Sequence, residues 1–198
     1  YDTDSSYTDI PDTYETGYIF LGDSRIYLMN QDCKIEQTAN FFVVSCPGMG
    51  YDWMMSNGFP QIEQIKQSHP QIHNWVLISA FGLNDLDRID SYVDTYSYLA
   101  QSMDIRLLSI NPTMGVSDAR YSNSNIEAFN KRLQEITGVS YIDCYSYLSR
   151  KGFWMIDNLH YNEQSNWDIY AFVLDYLNAN AGGSAVTGSD SRDRALKL

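Results

Sequence analysis

The chain has 198 residues, 44% of them hydrophobic and 19% charged, a composition suited to one domain with a substantial core. Its 25 acidic residues outnumber 13 basic ones, and the net charge of −12 repels phosphate backbones, which argues against nucleic-acid binding. No run of about eighteen apolar residues occurs, so no membrane-spanning segment is expected.

Residues 1–16 are rich in Asp, Thr, Ser and Tyr without periodicity and read as an arm or linker. The domain is expected over 17–180, and 181–198, with Gly182, Gly183 and Gly188, as a flexible tail. Within the domain, Tyr18–Leu21 is a short apolar run stopped by Gly22, the pattern of a buried parallel strand. Further strands are expected at Phe41–Val44, at Trp75–Ile78 running on to Gly82, at Ile105–Ile110, and at Val139–Ile142.

Helical stripes separate them. Leu86, Ile89, Val93, Tyr96, Leu99 and Met103 recur at spacings of three and four, as do Ile126, Phe129, Leu133 and Ile136. Ser124 and Glu127 have the spacing of a capping box. Pro60 is placed to open a short helix with Ile62 and Ile65, and Trp167, Tyr170, Leu174 and Leu177 mark a last helix. Five such βα units predict an α/β fold: a three-layer, flavodoxin-like α/β/α sandwich on a five-stranded parallel sheet. Its ligand site is expected beyond the carboxyl ends of the strands.

Cys33, Cys46 and Cys144 form no C-x-x-C pair, and an odd count argues against a disulfide framework; Cys46 and Cys144 read as buried small hydrophobes. His69 and His73 flank Pro70 and read as a solvated loop. The 16 tyrosines read mostly as covers for outer helix faces. No His-x-x-x-His or Cys cluster suggests a metal, and no Gly-rich phosphate loop follows the first strand, so neither metal nor cofactor is expected.

Four segments fall where the sheet rule places a site: Gly22-Asp23-Ser24-Arg25, Pro47 to Trp53, Gly82-Leu83-Asn84-Asp85, and Asp157-Asn158-Leu159-His160. In this order they resemble the four sequence blocks of the SGNH (GDSL-like) hydrolases. Gly22-Asp23-Ser24 resembles the nucleophile block, with Arg25 in place of its leucine. Gly50, or Gly48, resembles the second block's glycine. Gly82-x-Asn84-Asp85 resembles the third block, and Asp157-x-x-His160 the fourth. The resemblance covers roughly residues 17–178 and implies the SGNH hydrolase fold and ester chemistry. Gly50 to Met54 is also similar to a variant frequent in secreted or surface proteins of Gram-positive bacteria, which implies an extracellular or cell-surface setting.

The residue types suit that chemistry. A serine hydroxyl needs a base, and His160 is an imidazole, whose protonation changes near neutral pH. Asp157, three positions earlier, is placed to hold its outer nitrogen. Oxyanion donors are expected from the N–H of Ser24, the N–H of Gly50 and the side chain of Asn84. Gly50 is preferred to Gly48 because it precedes an expected helix start, and a side chain there would crowd the oxyanion or forbid the backbone angle.

Asp23 is expected to brace the turn, and Asp85 to cap the following helix. Arg25 reads either as a solvated first-turn side chain or as a ligand for an anionic or sugar group. Trp53 and Met54 read either as core packing or as an acyl-pocket wall, and Met114, Tyr121 and Tyr161 as cleft lining.

The expected substrate is a small acyl ester or an acetylated glycan, cleaved by an acyl-enzyme route. The alternatives are O-acetyl transfer to a glycan hydroxyl and a non-catalytic carbohydrate-binding module on the same fold.

Overall fold

A computed structural model describes residues 14–180, so the expected arm lies largely, and the tail wholly, outside the described residues. Five strands form one parallel sheet: β1 (Thr16–Gly22), β2 (Phe41–Ser45), β3 (Asn74–Ala80), β4 (Asp104–Leu108) and β5 (Ser140–Ile142). Their order is β2-β1-β3-β4-β5, with Phe20 level with Val43 on one side and Ile78 on the other.

Both faces of the sheet are covered, which is why its strands read as continuous apolar runs rather than alternating ones. Phe20 and Ile78 face a core shared with α1 (Ser24–Cys33), α6 (Cys144–Lys151) and α7 (Glu163–Asn180). Leu21 and Leu77 face the opposite core, shared with α2 (Tyr51–Trp53), α3 (Phe59–Ser68), α4 (Ile89–Leu99) and α5 (Asn123–Gln134).

Several local expectations change. The α5 cap is Ser122, whose side chain accepts from Asn125 N–H, so Ser124 lies inside the helix and no capping box forms. Glu127 instead accepts from Tyr145 Oη at 2.5 Å. The α4 stripe starts at Ile89, because Leu83–Arg88 is a 3-10 turn kinked at Asp85. Pro60 does sit in the first turn of α3, as expected, and that helix carries Ile62 and Ile65 and ends at Ser68, ahead of Pro70. A π turn, Met54–Gly58, joins α2 to α3 just ahead of Pro60. The wider turn accommodates a residue that removes one backbone donor and crowds the preceding carbonyl.

The fourth strand stops at Leu108, short of Ile110. Asn130 accepts from Ile110 N–H and donates to Ile110 C=O, both at 2.8 Å, which takes the backbone groups a longer strand would have used. Cys33, Cys46 and Cys144 are all free thiols, and Cys46 is half-buried rather than buried. His69 is buried, its Nδ1 on Ile65 C=O at 2.8 Å and its ring against Phe42, while His73 is exposed. Tyr92, Tyr96, Tyr161 and Tyr170 belong to the core instead of covering outer helix faces. None of the described helices is long and apolar enough to cross a membrane.

Candidate active site

The strand-to-helix turn after β1 carries the first segment. Asp23, 1% exposed, is the N-cap of α1, and its Oδ1 accepts from Arg25 N–H at 2.9 Å. Burial pushes its carboxyl above the ordinary aspartate range, against the pull of the Arg25 hydrogen bond and charge. With the cap supplied by Asp23, Ser24 is free of that role. It is the first residue of α1, so its N–H is one of those the helix leaves unpaired.

The last segment sits on a small hairpin. Met155 and Tyr161 form an antiparallel bridge, and Ile156 N–H donates to His160 C=O at 2.9 Å. Asp157 Oδ1 accepts from the N–H groups of Leu159 and His160, each at 2.7 Å, which closes the loop as an Asx-type turn. Asn162 Oδ1 then accepts from Ser165 N–H, and this cap joins the hairpin to α7.

The turn and the hairpin meet across 136 positions of sequence. His160 Nε2 lies 2.8 Å from Ser24 Oγ, and His160 Nδ1 lies 2.8 Å from Asp157 Oδ2. An ionised carboxylate only accepts, so Nδ1 carries the imidazole proton and Nε2 accepts from the serine hydroxyl. Burial pushes the Asp157 carboxyl up, but the hydrogen bonds from His160 Nδ1 and the two N–H groups prevail and hold it below the ordinary range.

Asn84 stands on the other side of the serine turn. Its Nδ2 donates to Met49 C=O at 2.8 Å and makes a longer 3.4 Å contact with Asp23 Oδ2. The loop after β2 holds both candidate glycines. Gly48 has φ +73° and open space where a side chain would project, so its turn alone favours glycine. Gly50 has φ −135°, an angle other residues adopt, so the expectation of a forbidden angle does not hold there. What requires glycine is close approach: a Cβ would lie 2.3 Å from Asp85 Oδ2.

Asp85 does not cap its own helix. Its Oδ2 accepts from Tyr51 N–H at 2.6 Å, so it caps α2 from across the loop, and its Oδ1 accepts from Tyr92 Oη at 2.8 Å. Its partner lies 34 positions earlier, so no local pattern signals the role. Gly50→Ala is therefore expected to displace this carboxylate and lower stability by about 1–3 kcal/mol. A thermal melt within about 1 °C of the parent chain would contradict the packing argument.

Other expected site residues fall elsewhere. Arg25 is neither solvated nor turned to a ligand: Nε donates to Leu159 C=O at 2.8 Å, Nη1 to Asn111 C=O at 2.6 Å and Nη2 to Pro112 C=O at 3.3 Å. Met54 is 0% exposed and accepts from Tyr96 Oη, so it is core and not an acyl-pocket wall. Trp53 packs on Phe81 at 5.9 Å between ring centroids, which favours its packing role. Tyr161 is 3% exposed, its hydroxyl donating to Pro112 C=O and its ring beneath Arg25, so it packs as core and borders only a small cavity of about 30 Å³ shared with Asp23, Arg25 and Asn166.

Met114 is exposed, with its N–H donating to Asn158 C=O beside the hairpin. Tyr121 lines a cleft of about 590 Å³ together with Asn84, Asp87, Arg120, Asn125 and Arg132. Among the described residues no cluster of three metal-ligating side chains occurs.

At the level of sequence, no family model and no curated protein matches the chain. Solved structures do match it. A GDSL-like lipase from Bacteroides thetaiotaomicron aligns at 11% identity and a TM-score of 0.60, over 83% of this chain and 88% of that one. A Slackia heliotrinireducens protein assigned as an SGNH hydrolase aligns at 12% identity and 0.59, over 81% and 97%. The catalytic domain of Streptococcus pneumoniae peptidoglycan O-acetyltransferase A, carrying a methylsulfonyl adduct, aligns at 11% identity and 0.58, over 84% and 94%. With its five parallel strands and its two helical layers, the chain has the fold of the SGNH (GDSL-like) hydrolases.

Proposed function

We propose that the protein is a serine esterase that cleaves short-chain acyl esters, O-acetyl groups on carbohydrate among them, through an acyl-enzyme on Ser24. The observation that carries this reading is the unbroken hydrogen-bonded line from Asp157 through His160 to Ser24, with both links at 2.8 Å. In the reaction, Ser24 Oγ attacks the ester carbonyl carbon while His160 Nε2 takes its proton. The imidazolium so formed is held by Asp157 Oδ2. It returns the proton to the departing alcohol oxygen as the C–O bond breaks. Water, deprotonated by the same nitrogen, then attacks the acyl carbon; the bond to Ser24 Oγ breaks, the imidazolium returns its proton to that oxygen, and the acid leaves.

The carbonyl oxygen gains negative charge in both steps. The N–H groups of Ser24 and Gly50 and the Asn84 amide are assigned to it, each worth roughly 3–4 kcal/mol in the transition state. For Asn84 the available hydrogen is the one that makes only the 3.4 Å contact with Asp23. The cleft beside Asn84 is mixed, with Leu83, Leu86, Ile89 and Phe129 beside the Asn125 amide, the Arg120 and Arg132 guanidiniums and the Tyr121 phenol, and its polar groups are assigned to the alcohol portion of the ester. An extracellular or cell-surface setting goes with an O-acetylated carbohydrate as substrate.

A second reading, O-acetyl transfer, is favoured by the likeness to an O-acetyltransferase catalytic domain. It uses the same acyl-enzyme with a glycan hydroxyl in place of water. Incubation with a fluorophosphonate tests the common step: a covalent adduct on Ser24 is expected, and an unlabelled folded protein would leave only the non-catalytic binding module. Nitrophenyl esters of rising chain length, then an acetyl donor with and without oligosaccharide, separate the two activities. Free acetate as the sole product in every case would remove the transferase reading.

A further inference from the structure

We propose that Arg25 is a positioning residue that holds the His160 hairpin against the serine turn and so sets the Ser24–His160 contact, an inference that rests on the esterase reading above. Arg25 follows Ser24 in the first turn of α1, so its backbone moves with the nucleophile. Its side chain leaves that turn and reaches two other loops. One is the hairpin, gripped at Leu159 C=O, the peptide group next to His160. The other is the segment after β4, gripped at Asn111 C=O and Pro112 C=O.

Tyr161 completes the arrangement from the far side of His160. Its ring lies 5.0 Å below the guanidinium carbon, and its hydroxyl donates to the Pro112 C=O that Arg25 also contacts. The residues immediately before and after His160 are thus both tied to Arg25, one by a hydrogen bond and one by ring stacking. Asp157 orients the imidazole within the hairpin, but it belongs to the same hairpin and leaves its distance from Ser24 undetermined. Among the described contacts, the Arg25 clamp bridges the two elements directly.

The chemistry of the side chain fits the task. Three carbonyls are engaged by three different nitrogens of one planar fork, and each bond is charge-assisted. An ammonium is a compact donor on a flexible stem and cannot reproduce that planar spread. A shift of about 1 Å between nucleophile and base is enough to cost on the order of a hundredfold in rate.

The test compares the parent chain with Arg25→Lys and Arg25→Ala on nitrophenyl acetate, a small neutral ester with no group for a guanidinium to bind. Expected is a fall in kcat of about a hundredfold for Arg25→Ala and at least tenfold for Arg25→Lys. KM should stay within about twofold, and fluorophosphonate labelling of Ser24 should slow in parallel. Circular dichroism should show the same folded fraction in all three chains. Labelling at the parental rate in both variants would overturn the proposal. So would a rise in KM at unchanged kcat, which would make Arg25 a substrate ligand, or loss of folding in both variants, which would make it a folding residue. Failure of the parent chain to label at all would instead remove the esterase reading.

Discussion

Replacing Ser24 by alanine is expected to lower ester turnover by at least about ten-thousandfold, with the fold retained. The loss follows from the proposed acyl-enzyme, which has no other nucleophile: His160 Nε2 would face a methyl group, and water would have to attack the ester directly. Retention of the fold follows from the division of labour in the turn. Asp23 supplies the cap of α1, so the helix keeps its N-terminal hydrogen bond to Arg25 N–H when Ser24 changes. Alanine is the best helix former, and the one side-chain bond lost is worth about 1 kcal/mol. Rates on nitrophenyl acetate and a thermal melt check both halves. Activity within tenfold of the parent would remove Ser24 from its role.

Asp157→Asn is expected to cost about ten-thousandfold in kcat for a different reason. The two N–H groups that donate to Asp157 Oδ1 would hold the amide oxygen of the substituted residue in that place. Its NH₂ group would then face His160 Nδ1 and donate to it. The imidazole proton is thereby forced onto Nε2, where it blocks acceptance of the serine proton. A downfield proton resonance from the Asp157–His160 bond, present in the parent and lost in the variant, would report this directly. Full activity in Asp157→Asn would contradict the assignment.

The same carboxylate gives a signed dependence on pH. Its folded value lies below the ordinary one, so its contribution to stability is in place above the unfolded value near pH 3.9 and is lost as pH falls through the folded value. The difference in Tm between the parent and Asp157→Asn should be smaller at about pH 3 than at about pH 5, as the Asp157 carboxylate takes up its proton. The side chain is 54% exposed, so the contribution is small. A difference that grows between about pH 5 and pH 3 would reverse the sign and refute the argument.

Legibility in the sequence varied with the range of the interaction. Phe20 and Leu21 face opposite cores and are both 0% exposed, and that double burial is what makes a parallel strand readable as an apolar run. The stripes of α4, α5 and α7 were readable because each repeats over several turns. Helices α1 and α6 were not, since α1 buries only Ile26, Met29 and Cys33, and α6 only Cys144 and Leu148, too few repeats for a period to stand out. Three of the four candidate segments were legible because they follow β1, β2 and β3, whereas Asp157–His160 follows α6 and was read from its residue types and spacing ahead of the last helix. Arg25 and Met54 each carried two readings and Tyr161 was read as cleft lining, and the choice was not legible because burial and partners at these positions come from distant chain: Leu159 for Arg25, Tyr96 for Met54, Pro112 for Tyr161.

The order of residue types along the chain was by itself sufficient for the alternation of strands and helices, the parallel sheet and the position of Gly22-Asp23-Ser24 and Asn84 just after strands, because apolar periodicity and strand-end position are local properties. Only the tertiary structure decided which polar groups meet: a hydroxyl and an imidazole 136 positions apart at 2.8 Å, a carboxylate at Asp85 capping Tyr51, and a guanidinium gripping three carbonyls. Hydrogen bonds act over about 3 Å and with direction, so they depend on how two packed layers place their loops, which no local pattern encodes.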